Sequence, residues 1–531
     1  MTAASTRRDV TPIWPGFLLA LAALAVGSCR PAAAPAPFVL EEATIAGIHA
    51  AFASGTLTCR QLVTEYLARI EAYDDGRDGP ALNAVLTVHP RALEIAADMD
   101  ARRASSPAAV GPLHCVPVVL KDNYDTADLP TTGGSVTLAE SVPLDDAFVV
   151  QRLRAAGALV IAKANLTELA RGGTTVSSLG GQTKNPYDLT RTPGGSSGGT
   201  GAAIAANFGA IGTGSDTGQS IRSPASAGSL VGLRPTRGLV SRDGIIPLST
   251  TQDAAGPITR TVEDAARMLD AMAGHDPKDP ITAFSLDKIP DSYTDSLNLD
   301  GLKGTRIGVL LDFFGPDPVH EEVNAVTDAA IEQMSALGAT MVRMRIPDLD
   351  ALTGGLSVSS FEAKIAFNAY LTDLGSGAPV RSLEEFIERG VFDDSIRRGL
   401  ETDQQVVDGL NDPEYHRRLR RREQLRQAVM TAMADHDLDA ILYPHQRRLV
   451  AAIGEPQLER NGVLSNGTGF PAITLPGGFS SPTASAPVGV PIGIELLGAA
   501  WSEPRLIELA FAFEQATTIR KPPVATPPLP R

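Results

Sequence analysis

The chain has 531 residues, of which 43% are apolar, and a formal net charge of −15 at pH 7. This length can supply a large buried core in one domain or in about two or three ordinary ones. The acidic balance argues against nucleic acid or anionic lipid as a general partner, because both are polyanions.

The N-terminal segment has the features of a bacterial export signal. Arg7 and Arg8 precede an apolar stretch at 17–26, which is too short for a mature transmembrane helix but has the length of a signal-peptide core. The sequence Val-Gly-Ser-Cys at 26–29 resembles a lipobox, in which Cys29 would be lipidated. Ordinary signal cleavage near Ala34 is the alternative. We predict a lipoprotein-type signal peptide at 1–28, an Ala/Pro-rich tether at 29–40 and a periplasmic protein that meets the membrane only through its lipid anchor.

The body of the chain, 41–520, alternates between helix-like and strand-like patterns, which predicts an α/β fold. Thr58 is a predicted helix cap, and the apolar residues that follow it lie on one helix face. A second helix is predicted at 319–337, closed by Gly338. Buried strands are predicted at 159–162, 307–311, 440–443 and 492–496. The Pro-rich end, 521–531, is predicted to be a frayed tail.

Two glycine-rich serine loops follow a lysine, and they carry the chemistry. Lys121 ends the apolar run at 116–120, Ser196 lies in Gly-Gly-Ser-Ser-Gly-Gly at 194–199, and Ser220 lies in Asp-Thr-Gly-Gln-Ser-Ile-Arg at 216–222. A serine hydroxyl needs a base and backbone N–H groups to act as a nucleophile. The glycines at 198–201 are not followed by the lysine of a phosphate-binding loop. The pattern therefore indicates a hydrolase built on serine and lysine.

These motifs resemble the amidase signature hydrolases. Lys121 and Ser196 stand 75 positions apart, and Ser196 and Ser220 stand 24 apart, as in that family. The resemblance covers roughly 40–520 and implies a single large domain with a mixed β-sheet core covered by helices on both faces. Further matching motifs lie at 111–117, 121–123, 232–236, 253–258, 469–473 and 493–498.

The resemblance implies a mechanism for each site residue. Ser220 would be the nucleophile that forms an acyl-enzyme, Lys121 the base, and Ser196, which has a cis peptide in the family, the proton relay between them. The oxyanion hole would be formed by the backbone N–H groups of Thr217, Gly218, Gln219 and Ser220. The implied reaction hydrolyses a small-molecule carboxamide to a carboxylate and an amine or ammonia, with ester hydrolysis as a side reaction and no cofactor.

Two of these residues raise physical questions. A base must be neutral, so we expect burial by the run at 116–120 to lower the pKa of Lys121. Asp122 would oppose this, but neighbours on a strand face opposite sides. Gln219 stands where the family usually has glycine, and glutamine adopts left-handed backbone angles only at an energetic cost. Its side chain either lines the acyl pocket or faces outward.

Several other features have a structural interpretation. Asp216 and Arg222 are interpreted as an ion pair, the arginines at 417–422 as a solvated helix face, and His445 as a surface residue, with substrate contact as the alternative. The segment 274–435 is expected to shape the substrate cleft. Pairing of Cys59 with Cys115 is left open, because sequence gives no distance between them. No histidine or cysteine cluster indicates a metal site.

Two rival functions remain. The family includes a transamidase subunit that works with cytosolic partners, against which the export signal argues. A catalytically silent, amide-binding lipoprotein is the other rival, against which Lys121, Ser196 and Ser220 argue.

Overall fold

The computed structural model describes residues 11–12, 38–75, 79–107 and 110–530. Cys29, the tether as far as 37 and all but two residues of the leader lie outside the described residues. Within the described ranges, no helix has the length and apolarity needed to cross a membrane.

The described chain alternates between helices and strands. The helices are α1 Ile45–Ser54, α2 Cys59–Tyr73, α3 Ala92–Ser105, α4 Phe148–Ala155, α5 Gly198–Ala205, α6 Arg222–Ala227, α7 Val262–Met272, α8 Glu321–Ala336, α9 Leu349–Thr353, α10 Ser359–Asp373, α11 Leu383–Arg389, α12 Asp394–Gln405, α13 Pro413–His436, α14 Val463–Thr468 and α15 Glu503–Thr517. The strands are β1 Val85–Val88, β2 Pro117–Lys121, β3 Leu159–Ala164, β4 Val176–Ser177, β5 Gly181–Gln182, β6 Ile211–Asp216, β7 Val231–Arg234, β8 Ala254–Thr259, β9 Arg306–Leu310, β10 Thr340–Met344, β11 Ala440–Pro444, β12 Ala472–Phe479 and β13 Pro491–Leu497.

Eleven of these strands form one mixed sheet in the order β1-β3-β2-β6-β8-β7-β12-β13-β11-β9-β10. Strand β2 lies parallel to both β3 and β6, whereas the central strands β8, β7, β12 and β13 pair antiparallel. Since β2 and β6 run in the same direction, their carboxyl ends meet at one edge of the sheet. Lys121 ends β2 and Asp216 ends β6 at this edge. The alternation of helices and strands and the mixed sheet confirm the predicted α/β fold.

Local sequence explains the helices that position this sheet. Thr58 caps α2 through a capping box with Gln61, and Leu62, Val63 and Tyr66 are fully buried on its inner face. The helix predicted at 319–337 is α8, which starts later because Pro318–His320 forms a 3-10 turn first. Gly338 follows α8 with a φ of 102°, a value in the left-handed region that favours glycine.

The prediction of a frayed C-terminal tail is wrong. The buried guanidinium of Arg69, on α2, donates to the carbonyl oxygens of Thr526 at 2.8 Å and Pro527 at 3.0 Å. It also donates to Glu41 and to the carbonyl of Ala206. A buried cation requires several acceptors, and the tail supplies two of them.

Cys59 and Cys115 form a disulfide, which settles the question left open by the sequence. Their Cα atoms are 5.8 Å apart, and 56 residues separate them along the chain. Cys59 is the first residue of α2, and Cys115 lies just before β2. The disulfide therefore fixes α2 close to the strand that ends at Lys121.

Candidate active site

Lys121 is fully buried at the end of β2. Its amine nitrogen lies 2.7 Å from the Ser196 hydroxyl oxygen, 2.8 Å from the Ser215 hydroxyl oxygen and 3.3 Å from the Ser215 carbonyl oxygen. Burial lowers the pKa of Lys121 to about 7, and the negative charges of Asp216 and Asp253 oppose that shift only in part. A large fraction of Lys121 is therefore neutral near pH 7 and able to accept a proton.

Asp122 does not counteract the lowered pKa of Lys121, because its carboxylate faces another buried lysine, Lys163. Its Oδ1 atom lies 3.0 Å from the amine of Lys163, and its Oδ2 accepts a hydrogen bond from the backbone N–H of Thr132 at 3.1 Å. The expected alternation along β2 thus separates the two neighbouring charges.

The loop that carries Ser196 leads directly into α5, which begins at Gly198. The peptide bond between Gly195 and Ser196 is cis, and the Ser196 side chain is fully buried. The N–H of Ser197 donates to the carbonyl oxygen of Ser220 at 3.3 Å. This bond joins the two serine loops side by side, so the structure brings Lys121, Ser196 and Ser220 into one place.

The loop at 217–220 is held by its carbonyl oxygens, while its N–H groups donate no hydrogen bond within the described part of the chain. Gln252 donates to the Thr217 carbonyl at 3.1 Å, and both Arg222 and Asn466 donate to the Gly218 carbonyl, at 2.7 and 3.0 Å. The N–H groups of residues 217–220 donate no hydrogen bond to any described residue, and the first backbone N–H after them that does is that of Ile221. These four donors are therefore available to stabilise an oxyanion.

Gln219 is buried rather than outward-facing, with 4% of its surface exposed, and it lines the cleft beside Ser220. Neither Gly218 nor Gln219 has a positive φ, so this loop does not require glycine at position 219. The amide nitrogen of Gln219 has no hydrogen-bond partner among the described residues.

A buried charge network lies directly behind the loop at 217–220. Arg222 pairs with Asp216 at 3.1 Å, as the sequence predicted, and also with Glu495 at 2.5 Å. Burial alone would raise the pKa of both acids, but Arg222 and other cations nearby hold the two pKa values below their usual range. The sequence motifs assigned no role to Glu495. Its one signal is an acid in the middle of an otherwise apolar strand.

The prediction that His445 is a surface residue is wrong. The side chain is fully buried, and its Nδ1 atom lies 2.7 Å from a carboxylate oxygen of Glu495. Tyr443 donates to the other oxygen of Glu495 at 2.8 Å. His445 does not line the cleft that contains Ser220, so it supports the network behind the loop.

The arginine run at 417–422 is only partly a solvated helix face. Arg417 is exposed and pairs with Glu414 at 2.7 Å, as predicted. Arg422 is buried and donates to the carbonyl oxygen of Asn466, and the side chain of Asn466 donates to Gly218. The final arginine of the run therefore connects α13, through Asn466, to the loop at 217–220.

Ser220 opens onto a cleft of about 810 Å³. Residues 217–220 line one side of it, and parts of 353–360 and 395–403 line another. The segment 274–435 therefore contributes to the cleft, as expected. Ser220 itself is 8% exposed, so its hydroxyl is accessible from the cleft while most of the residue is shielded from water.

Comparison with known proteins agrees with this architecture. The model of the family named Amidase matches residues 61–507. An Arabidopsis thaliana protein named "probable amidase" is 37% identical over 521 residues, covering 94% of this chain and 95% of its own length. A glutamyl-tRNA(Gln) amidotransferase subunit of Halorhodospira halophila is 34% identical over 501 residues, covering 91% of this chain and 99% of its own. The structure of native peptide amidase from Stenotrophomonas maltophilia superimposes with a TM-score of 0.81 at 36% identity, covering 92% of this chain and 99% of that one.

The chain belongs to the amidase family. It is an enzyme that hydrolyses carbon–nitrogen amide bonds, and the resemblance drawn from the sequence motifs is confirmed at the level of family and fold.

Proposed function

We propose that this enzyme hydrolyses a carboxamide through an acyl-enzyme on Ser220, with Ser196 relaying protons between Ser220 and Lys121. The observation that carries the proposal is the 2.7 Å contact between Lys121 and Ser196, together with the burial that lowers the pKa of Lys121 to about 7. A buried, partly neutral lysine in contact with a hydroxyl group can act as a base.

In the proposed reaction, Ser220 Oγ attacks the amide carbon and gives its proton to Ser196, which passes its own proton to Lys121. The carbonyl oxygen becomes an oxyanion, held by N–H groups of residues 217–220. The carbon–nitrogen bond then breaks, and the departing amine takes a proton back from Lys121 through Ser196. A water molecule, activated by the same relay, hydrolyses the ester on Ser220 and releases the carboxylate.

A fluorophosphonate probe tests the nucleophile. We expect intact-mass spectrometry to show one covalent adduct on the wild-type protein, and peptide mapping to place it on Ser220. Ser220→Ala should abolish both labelling and amide turnover, whereas Ser223→Ala, a matched change three residues away, should retain both. Undiminished labelling of Ser220→Ala would refute the assignment.

A transamidase function is the second candidate, because the relative from Halorhodospira halophila is named as part of an amidotransferase. The two functions differ in their acceptor. A hydrolase transfers the acyl group of its substrate to water without a partner protein, so release of carboxylate by the purified chain alone supports hydrolysis. Amide cleavage that starts only when a partner protein is added would support transamidation.

We also propose that the enzyme is exported and anchored through Cys29. The disulfide between Cys59 and Cys115 supports this proposal, because disulfides persist in oxidising compartments such as the bacterial periplasm.

A further inference from the structure

The cleft in front of Ser220 carries an excess of positive charge. Three arginines line it, Arg171, Arg398 and Arg460, and Asp403 is the one acidic residue among the described lining residues. Asp403 is already engaged, because it pairs with Arg171. No other acidic residue among the described lining residues is therefore left to balance the charges of Arg398 and Arg460.

Arg398 and Arg460 carry positive charges that pair with no acidic side chain among the described residues. Within the described part of the chain, neither guanidinium takes part in an ion pair, whereas most arginines around them do. Arg397, next to Arg398, pairs with Asp394 at 2.7 Å. A guanidinium offers several N–H donors in a planar fork that matches a carboxylate.

Arg460 lies close to the loop of Ser196. Its Nη1 atom would be 2.9 Å from a Cβ atom built on Gly173, and the backbone carbon of Gly173 would be 2.9 Å from a Cβ atom built on Gly195. Two residues further on, Gly462 lies against the side chain of Gln219 in the same way, at 2.6 Å. Arg460 is an exposed residue, and its guanidinium lies beside Gly173, which in turn lies against the loop of Ser196.

Arg398 approaches the cleft from a different element. It lies on α12, one helical turn before Thr402, and both residues line the cleft. Its neighbour Gly399 is close to the guanidinium of Arg171, which would lie 3.8 Å from a Cβ atom there. Helix α12 therefore presents a second cation to the same space.

We propose that the enzyme selects amides that carry a carboxylate, and that Arg460, assisted by Arg398, binds that carboxylate. This inference rests on the proposed hydrolysis at Ser220. The carboxylate can belong to the acyl part of the substrate, as in the monoamide of a dicarboxylic acid, or to the amine part, as in an N-acyl amino acid. Both sources present the same chemistry to a guanidinium.

Two pairs of substrates distinguish the sources. In the first pair the para-nitroanilide of succinic acid is compared with that of levulinic acid, in which a neutral methyl ketone replaces the carboxylate. In the second pair butanoyl-para-aminobenzoate is compared with butanoyl-para-aminoacetophenone. We expect wild-type kcat/KM to favour the carboxylate by about tenfold or more in one pair, and that pair identifies the part of the substrate that carries the charge.

Variants then test the residues. Arg460→Gln should reduce the preference for the carboxylate by about tenfold to a hundredfold. It should leave kcat/KM for the neutral member of the pair within about threefold of the wild-type value. Arg460→Lys, which keeps the positive charge, should retain part of the preference. Arg398→Gln should reduce it less. Arg420→Gln is the matched control, since Arg420 is an exposed arginine outside the cleft, and it removes the same charge from the protein.

The outcomes separate this inference from the proposed function. Turnover of neutral amides with no preference for a carboxylate in either pair, or an equal loss on both members of a pair in Arg460→Gln, would overturn the inference and leave the Ser220 mechanism in place. Failure of Ser220 to react with the fluorophosphonate probe would instead overturn the proposed function, and this inference with it.

Discussion

The amine of Lys121 lies 2.7 Å from the hydroxyl of Ser196 in a fully buried site. Its other hydrogen-bond acceptors among the described residues are the hydroxyl and carbonyl oxygens of Ser215. These neutral partners compensate a buried ammonium less than a directly paired carboxylate would, and therefore they leave the pKa of Lys121 low.

The first prediction concerns pH. Because the pKa of Lys121 is lowered to about 7 and only the neutral amine accepts a proton, the acylation rate should rise through about pH 7 and level off above it. Stopped-flow measurement with an activated amide between about pH 5.5 and 9 checks this. A rate that is constant across that range would exclude Lys121 as the base.

The second prediction separates a relay from direct activation. If Ser196 carries the proton between Ser220 and Lys121, then Ser196→Ala and Lys121→Ala should each slow acylation by several orders of magnitude, and the double variant should be only slightly worse than the worse single variant. Ser197→Ala is the matched control and should lose about threefold at most. Near-normal acylation by folded Ser196→Ala would mean that Lys121 activates Ser220 directly.

The third prediction concerns the buried network of Arg222, Asp216 and Glu495 behind the loop at 217–220. Glu495→Gln leaves Arg222 with one buried carboxylate partner fewer, so the free energy of unfolding should fall by about 3 kcal/mol, as measured by urea titration. Since Arg222 also holds the Gly218 carbonyl, kcat should fall as well. Glu423→Gln removes half of an exposed pair with Arg426 and should change stability by less than about 1 kcal/mol. Equal effects of the two substitutions would contradict this account.

The fourth prediction concerns the disulfide. The double variant Cys59→Ser/Cys115→Ser should lose about 2 to 4 kcal/mol of stability, because the cross-link closes a loop of 56 residues in the unfolded chain. Dithiothreitol should lower the urea midpoint of the wild type towards that of the variant. The variant itself should not respond to the reductant, and a response would show that the thiols are not the cause.

The fifth prediction concerns export. Expressed in a bacterial host, the mature chain should begin at Cys29 and sediment with the membrane fraction, and Cys29→Ala should release it from the membrane. Mass spectrometry of the N-terminal peptide and cell fractionation check both points. A soluble cytosolic protein that retains Met1 would rule the proposal out.

The sequence was most informative where function depends on local spacing. Lys121, Ser196 and Ser220 lie in motifs that can be recognised one at a time, and α2 and α8 follow from their caps and periodicity. His445 could not be assigned in this way, because its partner Glu495 lies on the neighbouring antiparallel strand β13, which the register places opposite β11. No sequence pattern distinguishes Arg460 and Arg398 from other arginines of the chain. Their common feature is the cleft, which exists only after distant segments have packed together.

The hydrogen bonds from Arg69 to the carbonyl oxygens of residues 526 and 527 also bear on how the fold closes. Arg69 is buried, yet two of the carbonyl oxygens that it requires, those of Thr526 and Pro527, lie 457 and 458 positions further along the chain. Until those two residues pack against α2, the Arg69 guanidinium lacks two of its acceptors. Removal of the C-terminal segment would therefore leave a buried cation with two acceptors fewer, which couples this segment to the stability of α2.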